Sequence, residues 1–140
     1  MAYIDTSVLV AATTREARTA SAQRWLASQP PNRLCISDWT ITEFSAALSM
    51  KLRMGHLDES QRAEVLATFA AMTQDSFAVI PVMRNDFADA ARLADQYGSG
   101  LRAGDALHLA IAANAGETIV SLDRILIKTA LAAGIRAQSP

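Results

Sequence analysis

Cysteine is all but missing: Cys35 is the only one in 140 residues, which excludes an intrachain disulfide. Its place in the apolar run Leu34-Cys35-Ile36 suits a buried structural thiol and a reducing compartment. Long apolar runs are missing too. None approaches the roughly 20 residues that span a bilayer, and the chain meets an acid at Asp5 without the basic and apolar regions of a signal peptide. A cytoplasmic protein with no membrane association is expected. The third absence is an excess of positive charge, since 13 basic residues stand against 14 acidic ones for a net charge of -1. Binders of polyanions usually carry a basic footprint, so bulk charge argues against such a partner. In the other direction, Lys51 and Lys128 are the only lysines, so the bases are mostly arginine, the better phosphate reader. Bound cations would also neutralise several of the acids.

What is present is apolar. Hydrophobic residues make up 51% of the chain and charged ones 19%, a composition that folds around a core, and the length suits one domain over residues 1–140. Tyr3-Ile4 reads as a short buried strand that turns into a helix at Asp5-Thr6-Ser7. A helical stretch through Trp25 and Leu26 ends at the breaker Gln29-Pro30-Pro31-Asn32, and a second strand is predicted over 33–37. Asp38 is expected to cap a helix from about Trp39 to Arg53, with Asp58 or Ser60 capping another from about 58 to 72. A strand over 77–80, a helix over 85–97 and a wholly apolar helix over 104–114 follow. The remaining elements are a strand over 118–121, a helix over 123–133 and a short last strand over 135–137. Strands alternating with helices imply a three-layer α/β/α sandwich around a mostly parallel sheet.

Ligands of open parallel sheets bind at the carboxyl ends of the strands. Asp5 closes the first strand and Asp123 lies just past the strand ending at Ser121. A lone acid at a strand end is equally well a helix cap. Glu43 falls among the apolar stripe Trp39, Ala46, Ala47 and Met50, on a helix whose other face carries Ile41, Phe44, Leu48 and Leu52; a buried glutamate needs a partner. Asp105 opens the apolar helix, where the macrodipole favours an acid with or without a function. Bringing these carboxylates together costs repulsion and desolvation unless cations fill the site. Oxygen-only ligation selects Mg2+, with Mn2+ as its substitute, over zinc. Phosphodiester hydrolysis fits such equipment.

Four motifs, Tyr3-Ile4-Asp5-Thr6-Ser7, Thr42-Glu43-Phe44, Gly104-Asp105-Ala106-Leu107-His108-Leu109-Ala110 and Val120-Ser121-Leu122-Asp123-Arg124, resemble those of PIN-domain nucleases. More narrowly, the chain is similar to VapC-type toxins of type II toxin-antitoxin pairs, from Tyr3 to about Ala133. The resemblance implies a PIN-like fold and Mg2+-dependent endoribonuclease activity, on structured RNA such as transfer RNA in many members. It makes Asp5, Glu43, Asp105 and Asp123 the catalytic, metal-binding acids. Ser7 and Ser121 take supporting roles, orienting acids or water, unless they merely cap. A homodimer is implied, together with a cognate antitoxin that lays a helix into an apolar groove and sends a basic side chain toward the acids.

Arg102 and Arg124 flank motif acids and are expected near the site, holding phosphate or pairing with carboxylates. His108 shares a helical face with Asp105 and is read as a hydrogen-bonded core residue rather than a general base. His56 is read as exposed. Phosphotransfer through Asp5 would need a lysine at a strand end, and both lysines fall in helices. A non-catalytic RNA- or protein-binding module of the same fold would not need all four acids. A nuclease preferring single-stranded DNA stays open, because metal chemistry at phosphate is indifferent to the 2'-hydroxyl.

Overall fold

A computed structural model describes residues 1–140. The elements in order are β1 (Ala2–Ile4), α1 (Thr6–Thr13), α2 (Thr19–Ala27), β2 (Leu34–Ser37), α3 (Asp38–Arg53) and α4 (Glu59–Ser76). They continue with β3 (Phe77–Ile80), α5 (Arg84–Ala94), a 3-10 turn at Tyr97–Ser99, α6 (Ala103–Asn114), β4 (Thr118–Val120), α7 (Arg124–Ala132) and β5 (Ala137–Gln138). The five strands form one sheet in the order β3-β2-β1-β4-β5. Every neighbouring pair is parallel, with Tyr3 opposite both Cys35 and Ile119.

Alternation along the strands divides the core in two. Ile4, Leu34, Ile36, Phe77 and Val120 pack with α1 to α4 on one face, where Phe44 stacks on Phe69 with ring centroids 3.9 Å apart. Tyr3, Cys35 and Ile119 pack with α5, α6 and α7 on the other. The result is the three-layer α/β/α sandwich expected from the alternation of elements. Burial pushes the Cys35 thiol up to about 11, as a structural cysteine requires.

Several boundaries differ from expectation for identifiable reasons. The first helical stretch is two helices, because the Thr13 and Thr14 hydroxyls turn back to the Leu9 and Val10 carbonyls, each at 2.7 Å, and Thr14 leaves the helix. Ser37, not Asp38, caps α3: its backbone is still extended, and its Oγ accepts from Thr40 N at 3.3 Å. Asp58 caps α4, which runs on to Ser76 and enters β3 directly. The helix expected over 85–97 stops at Ala94, and the last strand falls at Ala137–Gln138. No helix is long and apolar enough to cross a membrane.

Phe44→Ala removes one half of the stacked aromatic pair at the centre of the α1–α4 layer. Its expected cost is about 3–5 kcal/mol of unfolding free energy, read as a shift of the urea midpoint without a change of slope.

Candidate active site

β1 and β4 are neighbours, so the residues that follow them emerge side by side at one edge of the sheet. Asp5 leaves β1 and opens α1; Ser121, Leu122 and Asp123 leave β4 and open α7. β2 ends on the other side of β1 and leads into α3, which carries Glu43, while α6 brings Asp105 in its first turn. A cleft of about 420 Å³ at this edge is lined by all four acids, Asp5, Glu43, Asp105 and Asp123, with Thr6, Ser7, Glu16, Arg18 and Arg102 among their neighbours.

Each acid is held differently. Asp5 is 4% exposed, and its Oδ2 accepts the hydroxyl protons of Ser7 and, at 2.7 Å, of Ser121. The same two hydroxyls tie down the β4 end: Ser7 Oγ accepts from Leu122 N at 3.0 Å and Ser121 Oγ from Asp123 N at 2.9 Å. Asp123 Oδ1 accepts from the Ile125 and Leu126 amides and caps α7. Capping and cleft-lining therefore describe the same side chains at Asp5 and Asp123. Asp105 caps nothing; Arg102 Nε lies 3.6 Å from its Oδ2, but the arginine side chain is 83% exposed, so the pair is weak and screened.

Burial pushes the Asp105 carboxyl above the usual range, and the charges of Asp123, Asp5 and Glu43 push it further, against a smaller opposing pull from Arg102. Glu43 moves the other way. Burial opposes its charge, but the hydrogen bond and charge of His108, with help from the Thr6 hydroxyl and Arg102, hold it below the usual carboxylate range. The cleft is thus rich in carboxylate oxygen and short of cation, the condition under which a hard divalent ion is bound.

Asp5, Glu43 and His108 each bring a potential ligand atom within 4.8 Å of one another. His108 does not belong to such a set. Its Nε2 faces Glu43 Oε2 at 2.8 Å, Thr6 Oγ1 at 3.3 Å and Asp5 Oδ1 at 3.4 Å, and the two carboxylate oxygens favour a proton on the nitrogen. Its Nδ1 meets the Tyr3 hydroxyl at 2.8 Å. His108 is fully buried and hydrogen-bonded, as its apolar helix suggests, yet two of its neighbours are cleft acids. Asp5, Glu43, Asp105 and Asp123 are the carboxylates of the cleft, and oxygen donors of this kind suit a divalent metal.

Ser7 and Arg102 line the cleft, and Ser121 is buried beneath it against Asp5. Arg124 does not line the cleft; it is exposed in the first turn of α7 and forms no ion pair. Sequence reasoning passed over Gly104. A Cβ there would stand 2.9 Å from Glu43 Oε1 and 3.3 Å from Trp39 Cζ2, so the glycine beside Asp105 lets two α3 side chains approach the start of α6. Tyr3 and Thr6 were also missed, although both lie inside the first motif.

A family model described as the PIN domain matches residues 2–132. A search of curated proteins finds no match. Among solved structures, the fold is similar to that of VapC20 of Mycobacterium tuberculosis, a sarcin-ricin-loop-cleaving toxin, with a TM-score of 0.75, 20% identity and full coverage of both chains. It is similar to VapBC2 of Rickettsia felis bound to a promoter DNA fragment, with a TM-score of 0.68 and 17% identity over 99% of this chain and 98% of that one. It is also similar to PAE2754 of Pyrobaculum aerophilum, with a TM-score of 0.69 and 24% identity over 97% of this chain and 82% of that one. With a match across nearly the whole sequence and a sheet, layers and acid-lined edge of the expected kind, the chain belongs to the PIN domain family.

Proposed function

We propose that the chain is a metal-dependent endoribonuclease and the toxin of a toxin-antitoxin pair, using Mg2+, or Mn2+ in its place. The observation that carries this reading is the meeting of Asp5, Glu43, Asp105 and Asp123 in one cleft, with Asp105 destabilised as an anion by burial and by the other acids. These four acids would hold the cation. Bound there, it supplies a water of lowered pKa and neutralises charge on a phosphodiester. The chain's own part is positioning: Ser7 and Ser121 fix Asp5 through one oxygen and leave Oδ1 on the side of Glu43 and His108. Arg102, largely in solvent at the cleft rim, is free to swing from Asp105 to a phosphate. Arg18 lines the same cleft and adds a second guanidinium for the RNA backbone.

Structured RNA is the proposed substrate, in keeping with what the M. tuberculosis relative cleaves. A cognate antitoxin is the proposed partner, as the toxin-antitoxin complexes among the similar structures suggest, and a second copy of the chain and a cytoplasmic location are proposed with it. Exposed apolar side chains support two such interfaces: Met50 and Met54 at the end of α3, and Met83 and Phe87 at the start of α5, beside an apolar hollow of about 330 Å³ lined by Trp39 and Leu107.

Asp5→Asn and Asp105→Asn should each reduce Mg2+-dependent RNA cleavage by about 100-fold or more, the scale on which loss of one preorganised charge acts. Parent-rate cleavage by either variant, or by the parent in excess chelator, contradicts the assignment. Because the Asp105 carboxyl is held above its ordinary range, its charge destabilises the metal-free fold, and metal-free Asp105→Asn should melt higher than the parent at neutral pH. As pH falls through the raised pKa the parent carboxyl takes up its proton and that gap should close. Added Mg2+ should raise the melting temperature of the parent more than that of Asp105→Asn. Expression with and without the product of the adjacent open reading frame, followed by sequencing of cut RNA ends, tests the toxin role.

A further inference from the structure

Glu43 stands apart from the other acids in how it is supported. Asp5 and Asp123 cap helices and Asp105 sits in a first turn, whereas Glu43 lies inside α3 and accepts no backbone amide. A free glutamate side chain would sample many rotamers, and fixing one costs entropy. Its hydrogen bond comes from His108 Nε2, 2.8 Å from Oε2, and behind that bond runs a chain of buried polar groups. His108 Nδ1 meets Tyr3 Oη at 2.8 Å; Tyr3 Oη meets Ser37 Oγ at 2.7 Å and Thr40 Oγ1 at 3.3 Å. Ser37 and Thr40 are the two members of the box that caps α3, and Tyr3, His108, Ser37 and Thr40 are all completely buried. The chain therefore starts and ends on α3, passing through the central strand and α6 on the way. The other oxygen, Oε1, lies 2.9 Å from where a Cβ on residue 104 would stand, so a side chain there would push the Glu43 carboxylate out of this position.

The geometry points to His108 as a positioning residue: Tyr3 and His108 form a buried strut whose Nε2–H aims the Glu43 carboxylate at the cleft, and Gly104 keeps open the space it occupies. The assignment rests on the proposed cation site for its consequence, and on the metal-free protein for its geometry. A fixed Glu43 presents its oxygens without a search at the moment of binding, and supporting hydrogen bonds of this kind typically carry a tenfold to hundredfold effect on metal affinity. His108 itself touches neither metal nor substrate. Its proton is committed to Glu43, which also separates this role from that of a general base.

The test has two arms on the full-length protein. In the metal-free form with 15N-labelled histidine, His108 Nε2 should carry a proton shielded from solvent exchange. Its resonance should move strongly in Glu43→Leu and little in Asp105→Asn. An unprotonated Nε2, or one indifferent to Glu43→Leu, overturns the strut whether or not the cleft binds metal. In the second arm, Mg2+ alone is titrated calorimetrically. His108→Leu and Gly104→Ala should weaken binding about 10–100-fold. His108→Gln, whose amide N–H reaches the same carboxylate, should keep most of it, and Tyr3→Phe should fall between. If His108→Leu does not fold, the contrast between His108→Gln and Gly104→Ala decides. Parent-like Mg2+ affinity in Gly104→Ala and in every folded His108 variant overturns the proposal. A parent that binds no Mg2+ removes the cation reading of the cleft and with it the role of the strut, while the first arm still reports on the hydrogen bonds.

Discussion

Mutual repulsion among carboxylates is the constraint around which the rest of the molecule is arranged. Asp5, Glu43, Asp105 and Asp123 share a cleft with two arginines, and the Asp105 carboxyl, raised first by burial and then by the charges of Asp123, Asp5 and Glu43, shows what that arrangement costs. The fold offsets part of the cost before any ion arrives. α1, α6 and α7 all begin at this edge of the sheet, so three partial positive dipole ends stand next to Asp5, Asp105 and Asp123. Glu43, close to Gly104 at the start of α6 but accepting no amide there, is steadied by an imidazole. Different local devices thus hold the same kind of charge, and what each acid needs depends on where its element begins.

The order of the parallel sheet brings three of the four acids to one edge, and α6 adds Asp105. With β1 in the middle, its carboxyl end is flanked by those of β2 and β4, and each of the three strands leads straight into a helix or a short loop before one. Asp5 Oδ2 ties this edge together, because the Ser7 and Ser121 hydroxyls that reach it also accept the amides of Leu122 and Asp123. One oxygen therefore fixes the spacing of two loops.

Much of this was legible in the sequence, and the parts that were not share a cause. Asp5 and Asp123 follow short apolar strands, and strand ends are where an open parallel sheet places its ligands. Glu43 was legible as an acid in an apolar stripe, and its partner was not, since His108 lies 65 residues away on another helix. For the same reason His108 read as a core histidine, which describes its burial and omits its neighbours. Gly104 was legible only as the head of the third motif: it sits in the first turn of a helix, and its reason lies in Glu43 and Trp39 across the gap. Arg124 shows the converse error. Adjacency to Asp123 suggested the cleft, but consecutive helical residues point in different directions, and this one faces solvent. The misplaced cap at Asp38 and the overextended α5 are slips of one to three residues that leave the architecture intact.

The position of β4 has a consequence for how such a protein comes into being. It lies between β1 and β5 and delivers both Ser121 and Asp123, although it is synthesised after more than three-quarters of the chain. Until it slots in, β1 has an open flank and Asp5 lacks one of the two hydroxyls that orient it. A ribosome making this chain therefore carries an unfinished cleft for most of elongation, and competence arrives late and all together, as the last strands close the sheet.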